Sequence, residues 1–315
     1  MKYYLCFDIG GSSMKSGLLS LEGKIIEKKS YPMTDTFEEL LACMKDFHQM
    51  FKEDYELDGV AISSCGSIDV ENAVIDAVWA LPFLQGIPWC EVIQKELGLH
   101  CEIENDANCA ALSEVYFGEA QDIKDMAFFV IGTGVGGAII RNRQVCPGAH
   151  RYGGEFGMML VEDETENIQN FSLIASTSSM VRKMEEKTNE SWDGVRIFEE
   201  ANAGNALCKQ VIKQFYHNLA MGVFNVQHTL DPEMILFGGA ISQRDDFVER
   251  LMEEYNMIRE KIGMDIITPN LKCCTYRQDA NLLGALANYI GRNEKWAEMS
   301  TFGLVCRAWH EFSWR

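Results

Sequence analysis

The chain has 315 residues, which is enough for two domains that each bury a core. Its formal net charge of -19 argues against a nucleic-acid surface, because phosphate backbones select for clustered Lys and Arg. The 11 Cys include no C-x-x-C pair, and the N-terminal apolar run stops at Asp8, too short for a signal peptide or a membrane span. We therefore expect a soluble, cytoplasmic protein with reduced thiols and with neither nucleic acid nor membrane as a partner.

The first part of the chain alternates strand and helix patterns. Residues 3–7 predict a buried strand, and residues 16–21 and 24–27 predict two more. Apolar residues recur at helical spacing over residues 37–55, and residues 59–63 predict another buried strand. This order of strand, hairpin, helix and strand is typical of an α/β fold.

A glycine turn with the sequence Asp-Ile-Gly-Gly-Ser-Ser follows the first strand at residues 8–13. Glycines at the end of a strand let backbone N–H groups approach a phosphate closely, and the hydroxyls add donors. Asp8 can hold a magnesium ion or order its waters. A tight hairpin turn without a ligand explains the same residues equally well, so the motif alone is weak.

A polar cluster, Glu-Asn-Asp-Ala-Asn, begins at Glu104 and continues as a run of good helix formers. Asn105 and Asp106 therefore lie where a strand ends and a helix begins. This position suits N-capping, and it also suits the presentation of polar side chains to a ligand. Capping alone is the simpler interpretation of an isolated Asn-Asp pair.

The second half repeats the theme of a strand that ends in glycines. Residues 126–131 predict a strand, residues 132–137 read Gly-Thr-Gly-Val-Gly-Gly, and residues 138–140 predict a strand again. A dinucleotide-binding G-x-G-x-x-G motif is followed by a helix, so that interpretation fails. A third glycine turn at residues 238–240 follows the strand at 234–237, and helices are predicted at 206–230, 247–261 and 280–290.

Three such turns are more specific together than singly. With the polar cluster at Glu104 and a Gly-Glu-Phe-Gly block at 154–157, they resemble the signature blocks of the ROK sugar kinases, most similar to the zinc-free beta-glucoside kinase branch. The resemblance implies an α/β, two-lobed actin-like ATPase / sugar kinase (ribonuclease H-like) fold with a central cleft. Residues 1–117, joined by the helix at 280–291, would form one lobe and 118–279 the other, with a tail at 292–315 of no assigned role.

The resemblance also implies a sugar site. Asp106 would be the general base that accepts the proton of the sugar hydroxyl, and Asn105 would bond a neighbouring hydroxyl. Glu155 would bind the sugar near its anomeric end, and the loop at Gly66 would line the other wall. An Asp at a helix N-terminus is kept ionised by the helix dipole, which suits a reaction that needs positioning more than a strong base.

The same resemblance implies that ATP and Mg²⁺ are required. Asp8 would serve the magnesium ion. The ATP phosphates would be held by Gly10, Gly11, Thr133 and Gly134, with Ser12 also binding the nucleotide. The adenosine would lie against Gly238 and Gly239.

Two departures from the family pattern affect metal and substrate. Most members follow the Glu155 block with a His and three Cys that bind a structural zinc, but here Met158 stands at the His position and residues 159–180 contain no Cys or His. We therefore predict no zinc site, and we expect Met158 and Met159 to serve packing. Ser172 stands where many members place a sugar-binding glutamate, which puts glucose in doubt and leaves space for an aglycone.

The function expected from the resemblance is ATP-dependent phosphorylation of the 6-hydroxyl of a hexose or beta-glucoside, by a homodimer. N-acetylmannosamine kinase, glucokinase and fructokinase remain alternatives within the family. A sugar-responsive transcriptional regulator is a further class, but such members carry a helix-turn-helix domain before the first glycine turn, where this sequence has seven residues.

Overall fold

The structure is a computed structural model that describes residues 1–162, 168–264 and 266–293, so most of the expected tail lies outside the described residues. The strands are β1 (Lys2–Ile9), β2 (Ser13–Ser20), β3 (Ile25–Pro32), β4 (Glu56–Ser64), β5 (Ser67–Asp69), β6 (Val74–Ala77), β7 (His100–Asn105), β8 (Met126–Ile131), β9 (Val135–Arg141), β10 (Gln144–Val145), β11 (Leu160–Glu162), β12 (Ile168–Asn170), β13 (Met234–Gly238) and β14 (Leu271–Cys273). The α-helices are α1 (Phe37–Gln49), α2 (Trp89–Leu97), α3 (Asp106–Tyr116), α4 (Ser172–Ala175), α5 (Thr177–Thr188), α6 (Gly194–Asn202), α7 (Ala206–Leu230), α8 (Phe247–Ile262) and α9 (Ala280–Asn293). Short 3₁₀ helices lie at Pro82–Leu84, Phe156–Met158, Ala240–Gln243 and Arg277–Asp279.

The chain folds as two compact units, and the α/β class expected from the sequence is confirmed. Among the described residues, unit 1 contains 1–117 and 278–293, and unit 2 contains those from 118 to 277. The sheet of unit 1 has the order β3-β2-β1-β4-β7. In it, β1, β2 and β3 are antiparallel, whereas β1, β4 and β7 are parallel. The carboxyl ends of these three parallel strands therefore meet at one edge.

Helix α9 closes unit 1 although it comes from the far end of the described chain. Leu282, Leu286 and Ile290 on this helix are fully buried. Gly284 allows the close approach to α3, because a Cβ at that position would lie only 1.7 Å from the carbonyl oxygen of Cys109. A larger residue at Gly284 would therefore push the two helices apart.

The sheet of unit 2 has the order β10-β9-β8-β13-β14 and repeats the plan of the first. A glycine hairpin joins the antiparallel pair β8 and β9, and β8, β13 and β14 run parallel. The long helix α7 buries Phe215, Leu219 and Val223 against this sheet's core. The strand predicted after the second glycine turn is confirmed, since β9 and not a helix follows it.

One predicted element differs from the structure, and one glycine turn differs from the other two. Helix α1 ends at Gln49, whereas the periodicity predicted a helix to residue 55, because the chain turns at residues 51–54 and buries Phe51 there. The third glycine turn also differs from the first two, because it leads into a 3₁₀ helix and not into a hairpin. Within the described part of the chain, no helix combines the length and the apolar character needed to cross a membrane.

Candidate functional site

Three polar residues lie side by side where the parallel strands of unit 1 end. Asp8 on β1 is paired in register with Ser63 on β4, and Ser63 is paired with Glu104 on β7. The next residue but one after Glu104 is Asp106, which opens α3. Ligands of open α/β sheets bind outside the carboxyl ends of strands, so this edge is the candidate site of unit 1.

Asp8 is buried and is held by three neighbours. Its Oδ1 accepts hydrogen bonds from Ser63 Oγ at 3.3 Å and from Asn281 Nδ2 at 3.0 Å. Its Oδ2 lies 3.5 Å from the ammonium group of Lys15, which stands opposite Asp8 on β2. Mg²⁺ in proteins is usually held by one or two carboxylates, with water and phosphate oxygens as the remaining ligands. A single, well-oriented carboxylate of this kind fits that donor set.

Asn105 caps helix α3 and also ties it to a neighbouring loop. Its Oδ1 accepts hydrogen bonds from the backbone N–H of Ala107 at 2.9 Å and of Asn108 at 3.2 Å. Its Nδ2 donates to the carbonyl of Gly66 at 3.0 Å. The capping interpretation of this residue therefore holds, and one amide hydrogen remains for a ligand.

Asp106 is the first residue of α3, and its Oδ1 accepts a hydrogen bond from the N–H of Ala107 at 2.9 Å. The negative charge of Asp106 also affects Cys65, which follows the end of β4. Burial raises the pKa of the Cys65 thiol, and the negative charge of Asp106 raises it further. The first turn of a helix favours a carboxylate, because the dipole and the unpaired N–H groups stabilise negative charge there.

Residue 66, in the loop between β4 and β5, can only be glycine without backbone strain or steric overlap. Its φ is +107°, and a Cβ would lie 2.6 Å from the carbonyl oxygen of Ala77 and 3.0 Å from the Cβ of Val78. The residues that crowd Gly66 belong to the end of β6 and the loop after it. Gly66 thus packs this hairpin against the residue that caps α3.

Glu104 is a buried acid that supports the same helix start. Its Oε1 accepts hydrogen bonds from the Asn105 N–H at 2.7 Å and from Asn108 Nδ2 at 3.0 Å. Burial raises the pKa of Glu104 above its usual range, although these hydrogen bonds oppose the change. The carboxyl therefore positions the Asn105–Asp106 backbone at a cost in stability whenever it is ionised.

Replacing Glu104 by Gln is expected to flatten the pH dependence of stability. A carboxyl whose pKa is raised on folding contributes stability below its unfolded pKa and loses it as the pH rises through the folded pKa. Glutamine keeps the two accepted hydrogen bonds without the charge. The gain over wild type should therefore grow as the pH rises above 4.5, by at most about 1.4 kcal/mol for each pH unit, until Glu104 is ionised in the folded protein.

Urea unfolding of E104Q and wild type at a series of pH values measures this difference. The exposed Glu253→Gln is the control, and its pH profile should follow that of wild type. Parallel pH profiles for E104Q and wild type would contradict the assignment of a buried, raised-pKa carboxyl to Glu104.

The glycines of the first turn are not required by the fold. A Cβ at Gly11 would meet no atom of the described residues within 4 Å, and one at Gly10 would meet only the carbonyl of Ser13 at 3.5 Å. Neither has a positive φ. The turn itself is closed by a hydrogen bond of 3.1 Å from the Gly10 N–H to the Ser13 carbonyl. Because neither packing nor backbone strain demands glycine here, the open space suits a group that approaches the backbone closely, such as a phosphate.

The second glycine turn, in unit 2, is braced from one side. Thr177 donates its hydroxyl to the carbonyl of Gly132 at 2.6 Å, and its N–H to the same carbonyl at 3.0 Å. Ser172 Oγ accepts from the Val135 N–H at 2.9 Å and returns a hydrogen bond to the Val135 carbonyl at 3.2 Å. Gly132 itself has open space where a Cβ would lie. The turn is therefore held by α4 and α5, while the described residues of this unit leave its backbone open at Gly132.

The Glu155 block is packed onto this second turn. A Cβ at Gly157 would lie 1.9 Å from the carbonyl of Val135 and 2.4 Å from Ser172 Oγ, so these segments touch backbone to backbone. Glu155 stays at the surface, and partial desolvation raises the pKa of its carboxyl. The expected packing role of Met158 is wrong, since its side chain is 63% exposed, whereas Met159 does pack against the core. Met158 is the last residue of the short 3₁₀ helix, and Met159 follows it as the C-cap.

The third turn is of another kind. A Cβ at Gly239 would lie 2.1 Å from the carbonyl of Ile131, and the residue has a φ of +94°. A Cβ at Gly238 would meet the Phe128 ring at 2.9 Å. Both glycines are therefore required by packing. A cavity of about 440 Å³ opens beside them, lined among others by Ser242, Gln243, Cys273 and Cys274.

The profile of the ROK family matches residues 4–291, which is most of the chain. The chain belongs to the ROK family. A beta-glucoside kinase from Listeria monocytogenes is 32% identical over 90% of this chain and 96% of its own length. A beta-glucoside kinase from Klebsiella pneumoniae is 27% identical over 90% of this chain and 94% of its own length.

A solved structure of a ROK family protein from Streptococcus pneumoniae, in complex with sucrose, is 37% identical. It covers 93% of this chain and 100% of its own, with a TM-score of 0.87. The resemblance to ROK sugar kinases and the actin-like ATPase fold are thereby confirmed. The expected enzyme class, a carbohydrate kinase, is confirmed by the named kinases among the relatives.

Three residues of this ROK kinase that contact the candidate site residues were not predicted from the sequence. Lys15 follows from strand register alone, since it lies opposite Asp8 once the hairpin is paired. Asn281 carries no local signal, because only the fold brings α9 to β1. Thr177 could have been suspected as a hydroxyl at a helix start, but not its contact with Gly132.

The expectation of no zinc remains a prediction. Within residues 1–162, 168–264 and 266–293 of the ROK kinase, the structure groups no three His, Cys, Asp or Glu side chains in a way that could hold a metal ion. A Mg²⁺ site does not need such a group of side chains. One protein carboxylate is enough, because the nucleotide phosphates and water supply the other ligands of the ion.

Proposed function

We propose that this ROK kinase phosphorylates the 6-hydroxyl of a beta-glucoside or hexose with ATP. The observation that carries the proposal is the start of α3. There Asp106 lies in the first helical turn, directly after the capping residue Asn105. The start of a helix stabilises the negative charge of such a carboxylate, which can accept the hydroxyl proton as the phosphoryl group is transferred.

The other residues would position the two substrates. Asn105 and Gly66 would contact the sugar on the side of unit 1, and Glu155 and Ser172 would contact it near the anomeric end. The phosphates would lie against the two glycine turns at Gly10, Gly11, Ser12, Thr133 and Gly134, and the nucleoside beside Gly238 and Gly239. Mg²⁺ bound near Asp8 would neutralise phosphate charge, which is the main requirement of phosphoryl transfer besides positioning.

A beta-glucoside is the preferred substrate class for two reasons. Ser172 replaces a longer, charged residue of many family members, and its hydroxyl is already engaged with the Val135 backbone. The anomeric end of the sugar would then meet a shorter side chain, which leaves room for a second ring. The named relatives also act on beta-glucosides, and the related pneumococcal protein was solved with a disaccharide.

Comparison of kcat/KM for glucose, cellobiose and N-acetylmannosamine tests the proposal. We expect cellobiose to be phosphorylated at least as efficiently as glucose, with ADP release measured by a coupled assay and a reaction without sugar as the control. A glucose value more than about tenfold above both other sugars, roughly 1.4 kcal/mol in transition-state binding, would contradict the open anomeric end. A clear preference for N-acetylmannosamine would instead assign Glu155 to its anomeric hydroxyl.

A further inference from the structure

An exposed tryptophan lies next to the candidate sugar site of unit 1. Trp79 is 98% exposed, whereas Trp89 and Trp192, the other tryptophans in the described part of the chain, are at most 9% exposed. Indole is the largest side chain that folding can bury, so a fully exposed one loses a large favourable contribution. An exposed large apolar residue of this kind is informative and calls for a partner.

The loop that carries Trp79 is anchored on both sides. Val78 and Leu81 flank the exposed pair Trp79 and Ala80, and both are buried in the core of unit 1. A 3₁₀ helix begins directly after Leu81. Trp79 is therefore presented from a fixed backbone, as a binding residue should be, and not from a long free loop.

Trp79 is linked through Val78 and Gly66 to the residues proposed to bind the sugar. Its neighbour Val78 has its Cβ 3.0 Å from the Cβ position of Gly66. The carbonyl of Gly66 accepts the Asn105 amide at 3.0 Å, and Asp106 follows Asn105. Consecutive Cα atoms are ~3.8 Å apart, so Trp79 begins one residue beyond the wall at Gly66. A sugar held against the Gly66 wall would therefore lie close to the backbone of Trp79.

We propose that Trp79 is a specificity residue whose indole stacks on the second ring of a beta-glucoside. The inference rests on the proposed function. The faces of a beta-linked pyranose carry axial C–H groups, which form a flat apolar surface, and the face of an aromatic ring is apolar and electron-rich. The two surfaces match in shape and polarity, and a monosaccharide substrate has no second ring to use the indole.

A protein partner fits this surface less well. One indole buries at most about 250 Å², whereas a stable interface between proteins needs about 1,000 Å². The next residue, Ala80, is small, and the apolar side chains on either side of the exposed pair are turned into the core. The surface therefore suits a small flat ligand.

The first test measures selectivity. In Trp79→Ala the ratio of kcat/KM for cellobiose to that for glucose is expected to fall about tenfold, because an aromatic contact of this type contributes about that factor. Trp79→Phe should retain the ratio within about threefold. Val195→Ala, which removes another exposed apolar side chain on α6, is the matched control and should leave the ratio unchanged. An unchanged ratio in W79A, or a change of oligomeric state without a change of ratio, would overturn the proposal.

The second test does not depend on phosphoryl transfer. Cellobiose is added without ATP, and the tryptophan emission is followed in wild type and in Trp79→Phe. Stacking removes water from the exposed indole, so emission should shift in wild type and much less in W79F. If no sugar is phosphorylated but this difference persists, the proposed function fails while the role of Trp79 stands. Equal shifts in both proteins, or no shift in either, would reject Trp79 as the stacking residue.

Discussion

Asp106→Asn should lower kcat by at least 10²-fold while sugar affinity changes by less than tenfold. The substitution removes the proton acceptor but keeps the volume of the side chain, and general bases of this kind contribute 10² to 10⁴ in rate. The Asn105 cap does not depend on the Asp106 carboxylate, so α3 should still form. Loss of charge at the helix start is expected to cost only about 0.3–1 kcal/mol of stability. Single-turnover kinetics with the preferred sugar, and binding without ATP, measure the two effects.

Asp193→Asn is the matched control for this experiment. Asp193 is also an acid at a helix start, and its Oδ1 accepts the N–H of Arg196 at 2.8 Å as the N-cap of α6. Asn is an equally good N-cap, so kcat, sugar affinity and melting temperature should stay near those of wild type. If D106N retains more than about a tenth of the wild-type kcat, Asp106 is not the base.

Gly11→Ala should raise KM for ATP by about 30-fold, or ~2 kcal/mol, without lowering the melting temperature. The added methyl group meets no atom of the described residues within 4 Å, and Gly11 has no positive φ, so the folded protein should accept it. The reduced freedom of the unfolded chain would even add a few tenths of a kcal/mol to stability. The methyl group would occupy the space where we propose that phosphate meets the backbone. ATP-dependent kinetics and thermal unfolding measure the two effects.

Substitutions at two other glycines serve as controls for G11A. Gly194 opens α6 and also has open space around its Cβ position, so Gly194→Ala should leave KM for ATP unchanged and, like G11A, should not lower the melting temperature. Gly239→Ala should do the opposite of G11A, because its methyl group would overlap the Ile131 carbonyl at a φ of +94°. A loss of stability of about 3 kcal/mol or more is expected there. If G11A melts as early as G239A, the first turn is a packing turn and not a phosphate site.

The contrast between these glycines shows what sequence patterns can and cannot predict. All three turns have the same signal, which is small residues at the end of an apolar strand, and the strands before them were predicted well. The signal comes from two unrelated causes, however. Gly11 is open to solvent, whereas Gly238 and Gly239 are wedged against β8. Only the three-dimensional neighbours of each Cβ position distinguish them.

The polar residues also include some that the local sequence predicts and some that it does not. Asn105 and Asp106 could be placed from sequence, because strand ends, caps and helix starts leave local signals. The partners of Asp8 could not, since Lys15 depends on hairpin register and Asn281 lies 273 residues away in sequence. Long-range contacts of this kind follow from topology and leave no pattern in the local sequence.

Because helix α9 belongs to unit 1 but follows unit 2 in sequence, unit 1 cannot be completed until unit 2 has been synthesised. Asn281, which orients Asp8, and the buried Leu282 and Ile290 leave the ribosome only after all of unit 2. Each buried leucine or isoleucine contributes about 1.5–3 kcal/mol, so the nascent unit 1 lacks several kcal/mol of its final core. Unit 2 is continuous in sequence and can fold as a whole beforehand. The half of the enzyme that begins first is thus the last to be completed.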